Sequence, residues 1–149
     1  MEITYISPEK AVEIHSKTVD LSGGGTKGII DFGPLESALQ HIQNDLYYPE
    51  FEDKLTHLFF SACKFHCFQD GNKRIAIVLC TQMLLLNGYL HCSKRFLKEM
   101  ENISYYVASG AIDKDFLREI IEAIINDDMD DEELKLRLIE AMRGSDHED

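Results

Sequence analysis

Nine consecutive residues, His66-Cys67-Phe68-Gln69-Asp70-Gly71-Asn72-Lys73-Arg74, crowd polar and charged groups between two strongly apolar stretches. Their types are those of group transfer from a phosphate. His66 closes the preceding helical pattern and is the natural proton acceptor near neutral pH. Asp70 is a hard oxygen ligand suited to a Mg²⁺ ion that carries phosphates. Gly71 lets backbone approach an anion closely. Asn72, Lys73 and Arg74 open the next helix, whose first N–H groups and positive dipole end favour phosphate. A base, a metal ligand and a phosphate cradle together are what phosphoryl or nucleotidyl transfer needs.

The elements that must position this segment are helical. Ser7-Pro8 caps a first helix running to about Val19, with Ala11, Val12, Ile14 and His15 at helical spacing. Glycines 23–25 make a loop hinge, since no Gly-Lys-Ser/Thr follows them. Gly33-Pro34 starts a second helix with Leu35, Ala38, Leu39 and Ile42 on one face. Residues 44–53, with aromatics around Pro49, read as extended or turning. A helix from about Asp53 to Phe65 leads into the motif, and a nearly all-apolar one runs from near Lys73 to Leu86. Apolar on all sides, that second helix belongs at the centre. Asn87-Gly88 stops it. Three more are expected, over about Ser93–Ser109, Asp113–Asn126 and Asp130–Arg143, the last with Asp130 and Glu133 as a cap pair and Gly144 as its stop.

The motif resembles the Fic-domain signature His-x-Phe-x-Asp/Glu-Gly/Ala-Asn-Gly/Lys-Arg, matching at His66, Phe68, Asp70, Gly71, Asn72 and Arg74. Lys73 stands where most Fic adenylyltransferases have Gly, and Ile77 where they carry a second Arg. Both departures resemble the Doc (death-on-curing) branch, the toxins of Phd–Doc-type toxin–antitoxin modules. Tyr5-Ile6-Ser7-Pro8-Glu9, Gly28-Ile29-Ile30-Asp31 and Leu86-Asn87-Gly88 also look Doc-like.

The resemblance implies a compact all-α Fic helical bundle over residues 1–125, with a short extended flap before the motif helix. It implies a phosphotransferase that moves the γ-phosphate of Mg-ATP to a hydroxyl of a protein, in Doc elongation factor Tu, and so blocks translation. By the same resemblance His66 is the base, Asp70 holds Mg²⁺, and Gly71, Asn72, Lys73 and Arg74 bind the phosphates. Phe68 fixes the loop from the core. Leu46 to Asp53 falls where a Fic flap is carried, so Tyr47, Tyr48 and Phe51 are expected to position the target. AMP transfer is the alternative within the fold; a catalytically silent binding module is the alternative outside enzymology. Many Fic proteins carry an inhibitory Ser/Thr-x-x-x-Glu-Gly/Asn helix; with no such segment near the termini, restraint is expected from an antitoxin protein.

Charge sets limits on partners. The chain carries 27 acidic and 15 basic residues in 149, a net −12. Residues 126–149 hold ten acids and three bases, net −7, which leaves −5 for the rest. That balance argues against a nucleic-acid surface, but not against a small anion pocket. The tail reads as an acidic extension: one helix and a frayed end over 145–149. No stretch reaches the length of a membrane span, and Met1-Glu2-Ile3-Thr4 does not resemble a signal peptide. Cys63, Cys67, Cys80 and Cys92 lie mostly in helical patterns, which fits free thiols in a reducing cytosol. Two of them with His66 are too few for a closed zinc site.

Overall fold

The computed structural model describes residues 2–21, 28, 31–65, 67 and 71–146, with side chains as far as residue 144. Among the described residues the secondary structure is entirely helical. The helices are α1 (Pro8–Leu21), α2 (Gly33–His41), α3 (Phe51–Lys64), α4 (Asn72–Leu86), α5 (Leu90–Ser109), α6 (Lys114–Ile125) and α7 (Glu132–Asp146).

α4 is the axis of the bundle. It packs against α1, α3 and α5, while α3 also packs on α2 and α6. Ile75, Ala76, Leu79, Cys80, Met83 and Leu84 are buried along it, so its uniformly apolar sequence reflects neighbours on several sides. Phe59 of α3 and Phe96 of α5 meet edge to face across this core, ring centroids 6.2 Å apart. α6 contributes Phe116, Leu117, Ile120, Ile121, Ile124 and Ile125, all buried, so the expected wide stripe is an inward face.

Local signals set most helix ends. Ser7 Oγ accepts the Lys10 N–H at 3.1 Å, and Asp113 Oδ1 accepts the Phe116 N–H at 2.8 Å, as N-caps do. Asn87 ends α4 and does more: its side chain exchanges two hydrogen bonds with the backbone of Thr4, at 2.8 and 3.0 Å, tying the N-terminal segment to the far end of the central helix.

Four boundaries differ from the sequence expectation. α3 starts at Phe51, two residues early, because Glu50 is extended and its N–H donates to Asp53 Oδ2 at 3.0 Å, an N3 carboxylate reaching back to the cap. α5 starts at Leu90, directly after the tight exit from α4 at Gly88. In α7 the capping carboxylate is Asp131, which accepts the Leu134 N–H at 3.0 Å, not Asp130. α7 also continues past Gly144 to Asp146; the rest of the expected frayed end, residues 147–149, lies outside the described residues.

The acidic C-terminal segment is docked. Met129 and Leu134 are buried in the common core, with Leu138 and Ala141 packed against it. Arg137 forms a two-pronged ion pair with Glu119 of α6, at 2.7 and 2.8 Å, and its guanidinium lies 4.4 Å from the Phe116 ring centre. No helix among the described residues is long and apolar enough to cross a membrane.

Candidate functional site

α3 and α4 run in opposite directions around the motif segment, so the end of one and the start of the other share one end of the bundle. Of the motif, the structure describes Cys67 and Gly71 to Arg74. His66, Phe68 and Asp70 lie outside the described residues, as do glycines 23–25.

Gly71 is the N-cap of α4 and sits at φ 80°, ψ 16°, a left-handed conformation that costs any other residue strain. Its carbonyl accepts the Ile75 N–H at 2.8 Å, starting the helix cleanly. A Cβ at Gly71 would lie 3.6 Å from His15 Nε2, 3.8 Å from Val19 Cγ2 and 3.9 Å from a terminal nitrogen of Arg74, all ordinary contacts. The Cβ side of Gly71 therefore faces α1. Lys73 points outward and is exposed, while Asn72 and Arg74 are half-buried. Two cationic side chains stand in the first turn of a fifteen-residue helix, the end at which helices favour anions in general.

Arg74 also lines a cleft of about 380 Å³ between α1, α4 and α5, with Thr18, Leu21, Ile77, Val78, Leu97 and Glu101. Among these described lining residues Arg74 is the only cation. Ile77, one turn further along α4, makes that wall apolar.

Asp31 closes the other flank. Its N–H donates to the Cys67 carbonyl at 3.2 Å, and its carboxylate accepts the Gly33 N–H at 3.0 Å. The segment entering α2 is thus fastened to the motif. Cys67 itself is buried, and burial raises its thiol; Cys63 beside it is pushed up to about 12 by burial, with Lys73 and Lys64 pulling the other way. Among the described residues no three His, Cys, Asp or Glu side chains are grouped as a metal site.

Tyr47, Tyr48 and Phe51 are not brought to this turn. They sit at the start of α3, and its fourteen residues span roughly 20 Å to the motif end. Residues 42–48 fold mainly as turns, and Tyr47 is 77% exposed. Phe51 is buried, its ring stacked on Tyr89 with centroids 4.6 Å apart. Tyr48 stacks at 4.7 Å on His57, whose Nδ1 accepts a hydrogen bond from Lys114 at 2.7 Å. The segment is also held from below. Lys54, its side chain 1% exposed, donates at 2.7 Å both to the Ile42 carbonyl and to Asp45, under the Tyr5 ring. Burial opposes its charge, but Asp45 and Tyr5 outweigh that and hold the ammonium above its ordinary value.

The residues that sequence reasoning leaves out are those of α1: His15, Thr18, Val19 and Leu21. Their one legible signal is a histidine in the stripe of Ala11 and Ile14.

The Fic/DOC family model matches residues 5–84, more than half of the chain, and the chain belongs to that family. The matched span contains α1 to α3, the motif and the buried first part of α4, so it covers every residue of the turn described above. It is a Fic-domain protein, of a family whose members typically transfer nucleotide-derived groups to proteins. A comparison with curated proteins finds no match.

Proposed function

We propose that this protein is a Doc-like phosphotransferase that moves the γ-phosphoryl group of Mg-ATP to a hydroxyl of a target protein. The observation that carries the reading is the pair Lys73 and Ile77. Lys73 adds an exposed cation at the α4 terminus, and Ile77 places an apolar wall beside Arg74 where adenylyltransferring Fic proteins carry a second arginine. One half-buried guanidinium and one exposed ammonium suit a terminal phosphate at the mouth of the turn.

What supports an anion here is a glycine at the N-cap, where backbone can approach closely, with Asn72, Lys73 and Arg74 beside it to supply donors and charge. Asp70 would hold Mg²⁺, whose charge offsets that of the phosphates. His66 takes the proton of the target hydroxyl. The new bond joins that oxygen to the γ-phosphorus, the bond to the β,γ-bridging oxygen breaks, and ADP leaves. Elongation factor Tu, an antitoxin partner that restrains the enzyme, a toxin role and a cytoplasmic location belong to the same reading by resemblance.

Bacterial lysate incubated with the protein and ATP labelled at either the γ- or the α-phosphate tests it. Label transferred from the γ position alone, and lost in His66→Ala, is the expected result. Transfer from the α position means AMP transfer instead. No transfer, with His66→Ala indistinguishable from wild type, means a silent binding module.

A further inference from the structure

We propose that Lys114 is a modification site: an amine that takes an acyl group from small acyl phosphates, with His57 as the proton acceptor beside it.

Lys114 opens α6 and is half-buried. Its Nζ lies 2.7 Å from His57 Nδ1, 5.8 Å from the centre of the Tyr48 ring and 5.9 Å from that of Phe60. Tyr48 in turn stacks on His57. The nitrogen thus stands among three rings, and its close partner is a neutral imidazole rather than a carboxylate. Other lysines of the chain show the contrast. Lys10 and Lys17 meet Glu13 at 3.5 and 2.9 Å, Lys135 meets Asp130 at 3.7 Å, and the buried Lys54 meets Asp45 at 2.7 Å. A carboxylate favours the ammonium, which has no lone pair to give. At Lys114 burial works the other way and lowers the pKa, with Asp115 opposing it. The amine so favoured can keep one N–H on His57 Nδ1 and leave its lone pair for a carbonyl carbon.

The step balances without a metal or an oxidant. The ammonium first loses one proton to water. The amine nitrogen attacks the acyl carbon, the bond from that carbon to the phosphate oxygen breaks, and phosphate leaves with the electron pair. The surplus proton on nitrogen passes along the hydrogen bond to Nδ1 of His57, which is neutral at pH 7, and from there to solvent. An acyl phosphate suits the place. It is small enough to reach a half-buried nitrogen, and its negative charge is drawn to a cation whose partner is neutral.

Acetyl phosphate is the probe. The full chain is treated with it in slightly alkaline buffer, folded and in urea, and acetylation is followed lysine by lysine by mass spectrometry. Lys94 and Lys98 of α5, both exposed, serve as ordinary lysines. The expected result is that Lys114 in the folded protein is acetylated about fivefold faster than either, and that urea abolishes the difference. His57→Glu puts a carboxylate beside the amine, and there the rate at Lys114 should fall to that of Lys94 and Lys98 or below. Equal rates at the three lysines in the folded wild type overturn the proposal. So does an advantage of Lys114 that survives in urea, since sequence neighbours alone would then explain it. An undiminished rate at Lys114 in folded His57→Glu also overturns it. If that variant does not fold, His57→Phe takes its place, keeping a ring against Tyr48 and losing the acceptor. A slower rate at Lys114 in His57→Phe sustains the proposal, and an undiminished one overturns it.

Discussion

At the scale of single residues the chain invests in two unusual conformations or charge states. Gly71 is one. Placing alanine there puts an L-residue at φ 80°, which costs about 1–2 kcal/mol, whereas its Cβ meets only ordinary contacts. Gly71→Ala is therefore expected to lower stability by that amount in urea titration and to weaken Mg-ATP binding as the turn relaxes. His57 is the other. Burial first, then Lys114 and His41, lower it to about 4, so it is neutral at pH 7 and accepts the Lys114 hydrogen bond. The unfolded chain titrates near 6.5. Between pH 6.5 and 4 the unfolded state takes up a proton that the folded state refuses, so stability falls as the pH drops through that window. Below 4 both states are protonated and the slope ends. With partial exposure of the ring the loss is about 1–2 kcal/mol. Urea unfolding of wild type and His57→Phe across this range checks it: the variant should lack that part of the acid slope.

At the scale of elements, Lys54 shows how a turn is pinned to a helix. Lys54→Met keeps the bulk and removes the donor, leaving the Ile42 carbonyl without the ammonium; a cost of about 1–3 kcal/mol is expected. Amide exchange at Leu46 and Tyr48, whose N–H groups bond to Asn44, should speed up in that variant more than exchange in α4. Elements were legible where the signal is local. Ser7, Asp113, Asn87-Gly88 and the apolar α4 specify themselves within a few residues of chain. Lys54 was not legible, because a lysine reads as surface until a distant carbonyl and carboxylate close over it. Four consecutive acids, Asp130 to Glu133, all suit a helix start, and only packing of Leu134 selects Asp131 as the cap. Tyr47 and Tyr48 precede the motif closely in sequence, yet a rigid helix intervenes and carries them to the other end.

At the scale of the whole molecule, the acidic C-terminal segment is both charged surface and core. Leu134→Ala should cost about 2–3 kcal/mol, as for a buried leucine, and lower the denaturation midpoint. The loss should leave nucleotide affinity unchanged, since α7 packs on α5 and α6, and α1 and α4 build the turn. The family was visible in nine residues. The bundle that aims them was visible only as a list of helices, because the crossings that set α1 under Gly71 are long-range.

The four buried cysteines have a practical consequence. Burial raises all four thiols, Cys80 well above its ordinary value. Thiolate, the form that alkylating reagents and oxidants attack, is therefore scarce in the native protein. The cysteines become built-in clocks. Cys67, in the motif segment, should be modified through local openings of that loop, whereas Cys80, in the centre of α4, waits for the whole bundle to part. The ratio of their labelling rates separates breathing of the motif loop from global unfolding, in an unmodified chain and without an attached probe.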